Sequence, residues 1–403
     1  MKTLYNNYIN TFRGLSTEVW WLALMTFINR SGTMVIPFLS LYLTDDLKFS
    51  LTDVSTIMSC YGLGSVAGTW IGGKLSDKIG YYKVMVRSLL STGILFIALQ
   101  FIHTFAGLCL GIFLVMVVAD TFRPAMFVAM SVYSKPENKT RSVTLIRLAI
   151  NLGYSAGPAI GGLIIATIGY SGLFWVDGIT CILATFLLIK VLNPRVAKAI
   201  DDQIVENPVS VFKDKPFWIF FAAMTIFGII FLQYFSTMPL YYKDIHGLTE
   251  LEIGLLLGLN GFLIFLLEMP LIKCLDGSHF TKIGLMLFGI LLTASSLYAL
   301  NLTSWIGILC IGMLLMTIGE MIAFPFSNAF AIDRAKKGKQ GEYLSMYVMS
   351  FSIAHVFGHN IGLRLVDHYG YDITWYIMGS LGLVGALLLF YLKQLLAKQN
   401  ELT

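Results

Sequence analysis

Charge is what this chain of 403 residues has least of: Asp, Glu, Lys and Arg together make up 13% of it, against 57% hydrophobic residues. Soluble domains carry about a quarter charged residues, so a water-exposed globular fold is excluded. Cysteine is scarce as well. Cys60, Cys109, Cys181, Cys274 and Cys310 stand singly in or beside apolar runs with no CxxC pair, which reads as buried thiols rather than a disulfide or metal framework. Short segments of alternating polarity are missing, which excludes a membrane β-barrel. A short cleavable leader is missing too: the first 16 residues are polar and run into a long apolar stretch containing Arg30, so the N-terminus is expected to be retained. A phosphate-binding loop is only approximated by Gly68, Gly73 and Lys74, because Leu75 stands where a magnesium-holding Ser or Thr belongs.

What the chain has instead is long apolar runs. Runs of roughly 20 residues, enough to cross a ~30 Å hydrocarbon core as helix, recur from Trp20 to Tyr391. In lipid, continuous runs must satisfy their backbone as helices. The class is therefore an all-α membrane protein. The runs place spans at 17–43, 52–72, 84–102, 107–130, 143–168, 173–192, 216–242, 250–273, 283–300, 305–331, 342–366 and 373–392, twelve transmembrane helices in all. The odd-numbered loops hold only Lys48 and Lys243, whereas the tails and even-numbered loops hold nearly all the other basic residues outside the spans. That asymmetry puts both termini in the cytoplasm. The net charge of +5 is thus a topology signal, and nucleic acid is not an expected partner.

The longest connection, "LNPRVAKAIDDQIVENPVSVFKDKP", divides the chain into residues 1–192, a linker over 193–215, and residues 216–403. The halves echo each other, "DKIG" at Asp77–Gly80 against "TKIG" at Thr281–Gly284, which predicts two pseudo-symmetric six-helix bundles. Small residues recur every fourth position in spans 2 (Gly64, Gly68, Gly72), 5 (Gly153, Gly157, Gly161), 8 (Gly254, Gly258) and 11 (Ala354, Gly358, Gly362). Such stripes let helix backbones approach closely in lipid. Their period predicts four three-helix units with seams at equivalent helices.

These residues carry a resemblance to the major facilitator superfamily over essentially the whole chain. The loop "GGKLSDKIGYYK" matches that family's signature at Gly73, Asp77, Lys78, Gly80 and Lys83, and departs from it at Tyr81 and Tyr82, where basic residues are common. The resemblance implies the major facilitator fold and a conformational latch built around Asp77. Span 5, "NLGYSAGPAIGGLI", is similar to the signature of the family's proton-driven exporters at Gly153, Gly157, Pro158, Gly161 and Gly162. This implies a smooth face for interdomain packing, bent by the proline.

An ionisable group at mid-bilayer costs roughly 2.5–3.5 kcal/mol, so such groups must face inward. They fall on particular spans: Arg30 on span 1, Asp120 and Arg123 on span 4, Glu268 on span 8 and Glu320 on span 10. In the resembled fold spans 1, 4, 7 and 10 line the cavity. Asp120, Glu320 and Glu268 are the candidate proton-coupling groups, with a helix-end role open for Glu268 beside Pro270. Asp120 and Arg123, three apart, are able to pair, with Arg30 as a competitor. A carboxylate released from such a partner into low dielectric takes up a proton. Glu320 has no basic residue nearby on its own helix.

Asn29, Arg30, Arg123, Gln233, Asn260 and Asn328 are candidate substrate-binding residues, and Phe38, Tyr42, Tyr234, Phe324 and Phe326 candidate apolar walls. His355 and His359 share one helix face and read as polar packing, and Asp177 reads as structural. The expected function is secondary transport by alternating access, with proton antiport exporting amphipathic or drug-like small molecules. The expected setting is a monomer in the bacterial cytoplasmic (inner) membrane, with no cofactor, no metal and no enzymatic activity. Proton-driven uptake of a nutrient such as a peptide, sugar or organic ion is the alternative, since "FINRSG" and "GEMIAFP" resemble segments of proton-coupled oligopeptide transporters, although Asn29 stands where a glutamate belongs. A receptor or scaffold without flux is a third.

Overall fold

The computed structural model describes residues 14–31, 34–134, 139–193, 210–276, 279–335 and 340–401. Among them no strand occurs, and ten helical stretches are long and apolar enough to cross a membrane. The helices are α1 (Thr17–Ser31), α2 (Val35–Leu41), α3 (Leu51–Ile79), α4 (Tyr81–Leu99), α5 (Phe105–Asp120), α6 (Phe122–Tyr133), α7 (Lys139–Ile168), α8 (Ser171–Val191), α9 (Lys215–Asp244), α10 (Glu250–Asp276), α11 (Lys282–Ala299), α12 (Gly307–Ala335) and α13 (Gln340–Glu401). A π-helical turn, Tyr42–Asp46, follows α2.

Local chemistry sets the ends. Thr104 and Thr281 cap α5 and α11 by accepting from the N–H of Gly107 and Gly284, the bond a helix start otherwise lacks. Between α3 and α4, Gly80 adopts φ 88°, which a residue with a Cβ rarely adopts. The 62 residues of α13 would run about 90 Å if straight. Gly370, at φ 76° and ψ 176°, turns the chain and divides them into two arms.

The fourth span expected from hydropathy is interrupted after Asp120, where α5 gives way to α6. Pro124 accounts for the break: it has no N–H to give the carbonyl of Asp120, and its ring crowds that carbonyl.

The helices group into two compact units, one of Met1–Ile36, Gly64–Asp201 and Glu250–Phe262, the other of Pro37–Leu63, Asp202–Thr249 and Leu263–Thr403. Residues 194–209 of the expected linker lie outside the described residues. In the first unit Val19, Leu22 and Met25 of α1, Val84, Met85 and Leu89 of α4, Phe122, Met126 and Met130 of α6, and Ala184 and Leu188 of α8 form one buried cluster. In the second, α9, α12 and α13 meet through aromatic rings, among them Phe217 against Tyr343 at 4.8 Å and Phe220 against Phe330 at 4.7 Å between centroids. Large apolar side chains also point outward, with Phe186 of α8 at 62% exposure and Leu387 of α13 at 66%. On a soluble protein such surfaces would demand a partner. Here they suit lipid.

Candidate functional site

In the first unit the small-residue stripe of α3 determines what surrounds Asp120. A Cβ at Gly64 would stand 2.5 Å from the carbonyl oxygen of Phe113, and one at Gly72 would stand 2.6 Å from Cα of Thr121. With no side chain between them, α3 lies directly on α5 and on the break at Thr121. That contact carries Ser65 to Asp120, and the Ser65 hydroxyl donates to Asp120 Oδ2. Arg123 of α6 extends an exposed side chain.

The stripe of α7 acts likewise on the end of α1. A Cβ at Gly153 would lie 2.5 Å from Arg30 Cβ, and one at Gly157 would lie 3.2 Å from the carbonyl oxygen of Ser31. Arg30 Nη1 donates to Tyr154 Oη at 3.2 Å, and its guanidinium lies 5.5 Å from the centroid of that ring. Asn29 donates to Cys181 Sγ at 3.7 Å. Pro158 and Gly161 are buried. Gly162 lies on the start of α10, where a Cβ would stand 2.5 Å from the carbonyl oxygen of Glu250. Two turns further along α10, Ser155 Oγ donates to the Gly258 carbonyl at 2.7 Å.

Asp177 is fully buried, and both its oxygens accept: Oδ1 from Met34 N at 2.9 Å, and Oδ2 from Met34 N at 3.0 Å and Val35 N at 2.9 Å. A carboxylate is favoured at a helix start, where unpaired N–H groups converge. Asp177 thus caps the start of α2.

In the second unit Glu320 is half-buried on α12, one helical turn before Phe324, and residues four apart share a face. Phe324 packs on Phe227, Phe231 and Phe351, each at 5.1 Å between centroids, and Phe231 continues to Phe235 at 5.5 Å. Three helices therefore present aromatic faces around the turn that carries Glu320. On the α9 side Tyr234 is buried and within electrostatic reach of Glu320.

Gln233 is fully buried and ties α9 to α13: its amide donates to the Ile229 carbonyl at 2.9 Å and the Gly358 carbonyl at 2.8 Å, and its oxygen accepts from Thr237. Asn260 and Glu268 are buried, whereas Asn328 is exposed. Of the expected walls, Phe38, Tyr42, Tyr234 and Phe326 are buried in packing, and Phe324 is partly exposed.

Around the α3–α4 turn, Lys78 and Lys83 are exposed, and a Cβ at Gly73 would meet open space. Asp77 is in α3, but its side chain lies outside the described residues. Lys74 places its ammonium 3.7 Å from the Trp70 ring centroid. In the second half, Lys282 of the "TKIG" segment pairs with Asp333 at the end of α12.

Sequence reasoning missed one buried cluster altogether. Asp214 caps α9 by accepting from Phe217 N, and also accepts from Arg334 Nε at 2.7 Å, Arg334 Nη2 at 2.8 Å and Tyr343 Oη at 2.8 Å. Burial pushes the Asp214 carboxyl up, but the hydrogen bonds from Arg334 and Tyr343 and the Arg334 charge outweigh it and hold the group below its ordinary value of 3.8. A depressed carboxylate stabilises the fold fully above its unfolded value and loses that contribution as pH falls through the folded one. Asp214→Ala should therefore lower thermal stability in detergent by about 3–5 kcal/mol, the cost of orphaning a buried partner. The gap from wild type should close only below about pH 4. The sequence signal is "DKP" before an apolar run, an N-cap followed by proline.

These features define a polytopic helical membrane protein with ionisable side chains on its apolar helices, the architecture of a transporter. A sequence model described as the Major Facilitator Superfamily matches residues 20–276 and 277–401, and the chain belongs to that superfamily. Its members are transporters, not enzymes. Among similar proteins are an uncharacterised MFS-type transporter, YttB, of Bacillus subtilis, 26% identical over 87% of this chain and 88% of that one. A Na(+), Li(+), K(+)/H(+) antiporter of Planococcus maritimus is 21% identical over 93% and 95%. The chloramphenicol resistance protein CraA of Acinetobacter baumannii is 25% identical over 83% of each chain. A crystal structure of a POT family transporter in complex with 5-aminolevulinic acid shares the fold, with a TM-score of 0.80 over 94% of this chain and 96% of that one at 14% identity.

Proposed function

We propose that the protein is a proton-coupled secondary transporter that works by alternating access and exports amphipathic or drug-like small molecules by proton antiport. It acts as a monomer in the bacterial inner membrane, with twelve spans in two six-helix bundles and both termini in the cytoplasm. The observation that carries this reading is Glu320, a carboxylate within an apolar span and one turn from Phe324 in an aromatic cluster contributed by three helices. The aromatic faces suit the apolar part of a solute. The carboxylate takes or releases the coupling proton as its surroundings alternate between low and high dielectric.

Asp120 is the second proton group, and it accepts a hydrogen bond from the Ser65 hydroxyl at the proline break. Arg30, Asn29, Arg123, Asn260 and Asn328 contact solute during the cycle. The exposed lysines at the α3–α4 turn act with Asp77 as a conformational latch. Gly153, Gly157, Pro158, Gly161 and Gly162 provide a side-chain-poor packing face for moving helices. The antiporter and the resistance protein among the relatives support the direction of transport.

Growth tests this reading. Deletion of the gene should make its host hypersensitive to amphipathic dyes and drugs, with restoration by the wild-type chain. Unchanged drug sensitivity together with failure to grow on a specific nutrient would replace export by uptake.

A further inference from the structure

Within the second unit the first turns of α3, Leu51–Leu63, lie against the first arm of α13. A Cβ at Gly62 would stand 2.6 Å from the His355 carbonyl carbon and 2.7 Å from Val356 N, so the two backbones touch. A ladder of polar bonds follows the contact. Ser59 Oγ donates to the Val356 carbonyl at 3.3 Å, Asn360 Nδ2 to Ser59 Oγ at 3.1 Å, Arg364 Nε to Ser55 Oγ at 3.4 Å, and Thr52 Oγ1 to Asp367 Oδ2 at 2.7 Å.

His359 sits in the middle of this seam. It is 1% exposed, and among the described residues neither Nδ1 nor Nε2 has a hydrogen-bond partner. Its surroundings are rings: Tyr61 of α3 stands edge-on at 5.9 Å between centroids, and His355 lies at 5.8 Å. Nothing in a packing role explains two orphan ring nitrogens, since a buried polar group without a partner costs about 1–3 kcal/mol.

We propose that His359 is a proton-binding site that governs the α3–α13 seam, neutral while the helices are together and protonated when they separate. A neutral imidazole is tolerated in the closed seam at the cost of its unmade bonds. An imidazolium there would carry two N–H donors and a charge with no acceptor, beside a second histidine. The titratable groups facing it are Tyr61 from α3 and His355 from its own helix. From α9 the neighbour is Gln233, neutral and already bonded to Gly358 and Ile229. His355 is the titratable group that acts on it electrostatically.

The closed seam therefore binds fewer protons than the open one, and acid favours opening. If only the open form takes the proton, the ratio of open to closed changes about tenfold per pH unit below the imidazole's value in water. This site is separate from Glu320 and Asp120, and its behaviour does not depend on the coupling role given to them.

Spin labels at Ser50→Cys and Tyr369→Cys, with the five native cysteines replaced by alanine or serine, report the seam in the full chain in nanodiscs. Between pH 8 and pH 5 the wild-type background should gain a long-distance population. His359→Gln and His359→Leu should keep the pH 8 distribution throughout, while His355→Gln should still respond. A wild-type distribution that ignores pH overturns the proposal. So does a His359→Gln or His359→Leu chain, monodisperse by gel filtration, that responds as the wild type does.

Discussion

Glu320→Gln is expected to abolish uphill transport while leaving the protein folded and able to bind solute. Glutamine keeps the shape and hydrogen-bonding reach of the side chain but cannot exchange a proton. With one proton exchanged per solute, a gradient of one pH unit sustains about tenfold solute accumulation, and in the variant that ratio should fall to one. Because Phe324 and its ring neighbours are untouched, dye binding measured by fluorescence should persist within about threefold. Loss of binding together with loss of accumulation would make Glu320 a structural or binding group instead.

Gly72→Leu should be strongly destabilising. The site offers 2.6 Å to Thr121 Cα and 2.7 Å to the Thr121 carbonyl oxygen, and backbone cannot step aside as a side chain can. Overpacking costs roughly 1–3 kcal/mol when neighbours can adjust, and the cost here lies at or beyond the upper end. Separating α3 from the α5–α6 break also withdraws Ser65 from Asp120. Gly73→Ala, one residue along, meets open space and lies within a helix, so it should stabilise or leave stability unchanged by up to about 1 kcal/mol. Melting temperatures of the two variants in the same detergent separate a true contact stripe from a glycine-rich segment.

Both substitutions show which parts of the molecule were legible in the sequence. The helical class followed from run length, and the glycine stripes of spans 2 and 5 announced close contacts that the structure places on α5, α6 and α1. The break beside Asp120 could have been read from Pro124. What periodicity cannot supply is the neighbour on another helix. Ser65 lies 55 residues from Asp120, and Arg334 lies 120 residues from Asp214, so their pairing depends on tertiary packing alone. The spacing of Asp120 and Arg123 suggested a pair on one helix. The glycine stripe also brings a hydroxyl from α3 to that carboxylate. His359 shows the same limit from the other side: its face on the helix was readable, whereas the lack of a hydrogen-bond partner for its ring nitrogens among the described residues was not. Asp177 read as structural, and its burial against Met34 and Val35 supplies the physical reason.

Proton antiport is tested most directly by flux. Purified protein in liposomes, with an amphipathic dye on both sides and a pH jump as the sole driving force, should move the dye against its gradient, with proton movement in the opposite direction reported by an entrapped pH indicator. Dye flux that runs only downhill and takes no notice of the pH gradient would contradict it.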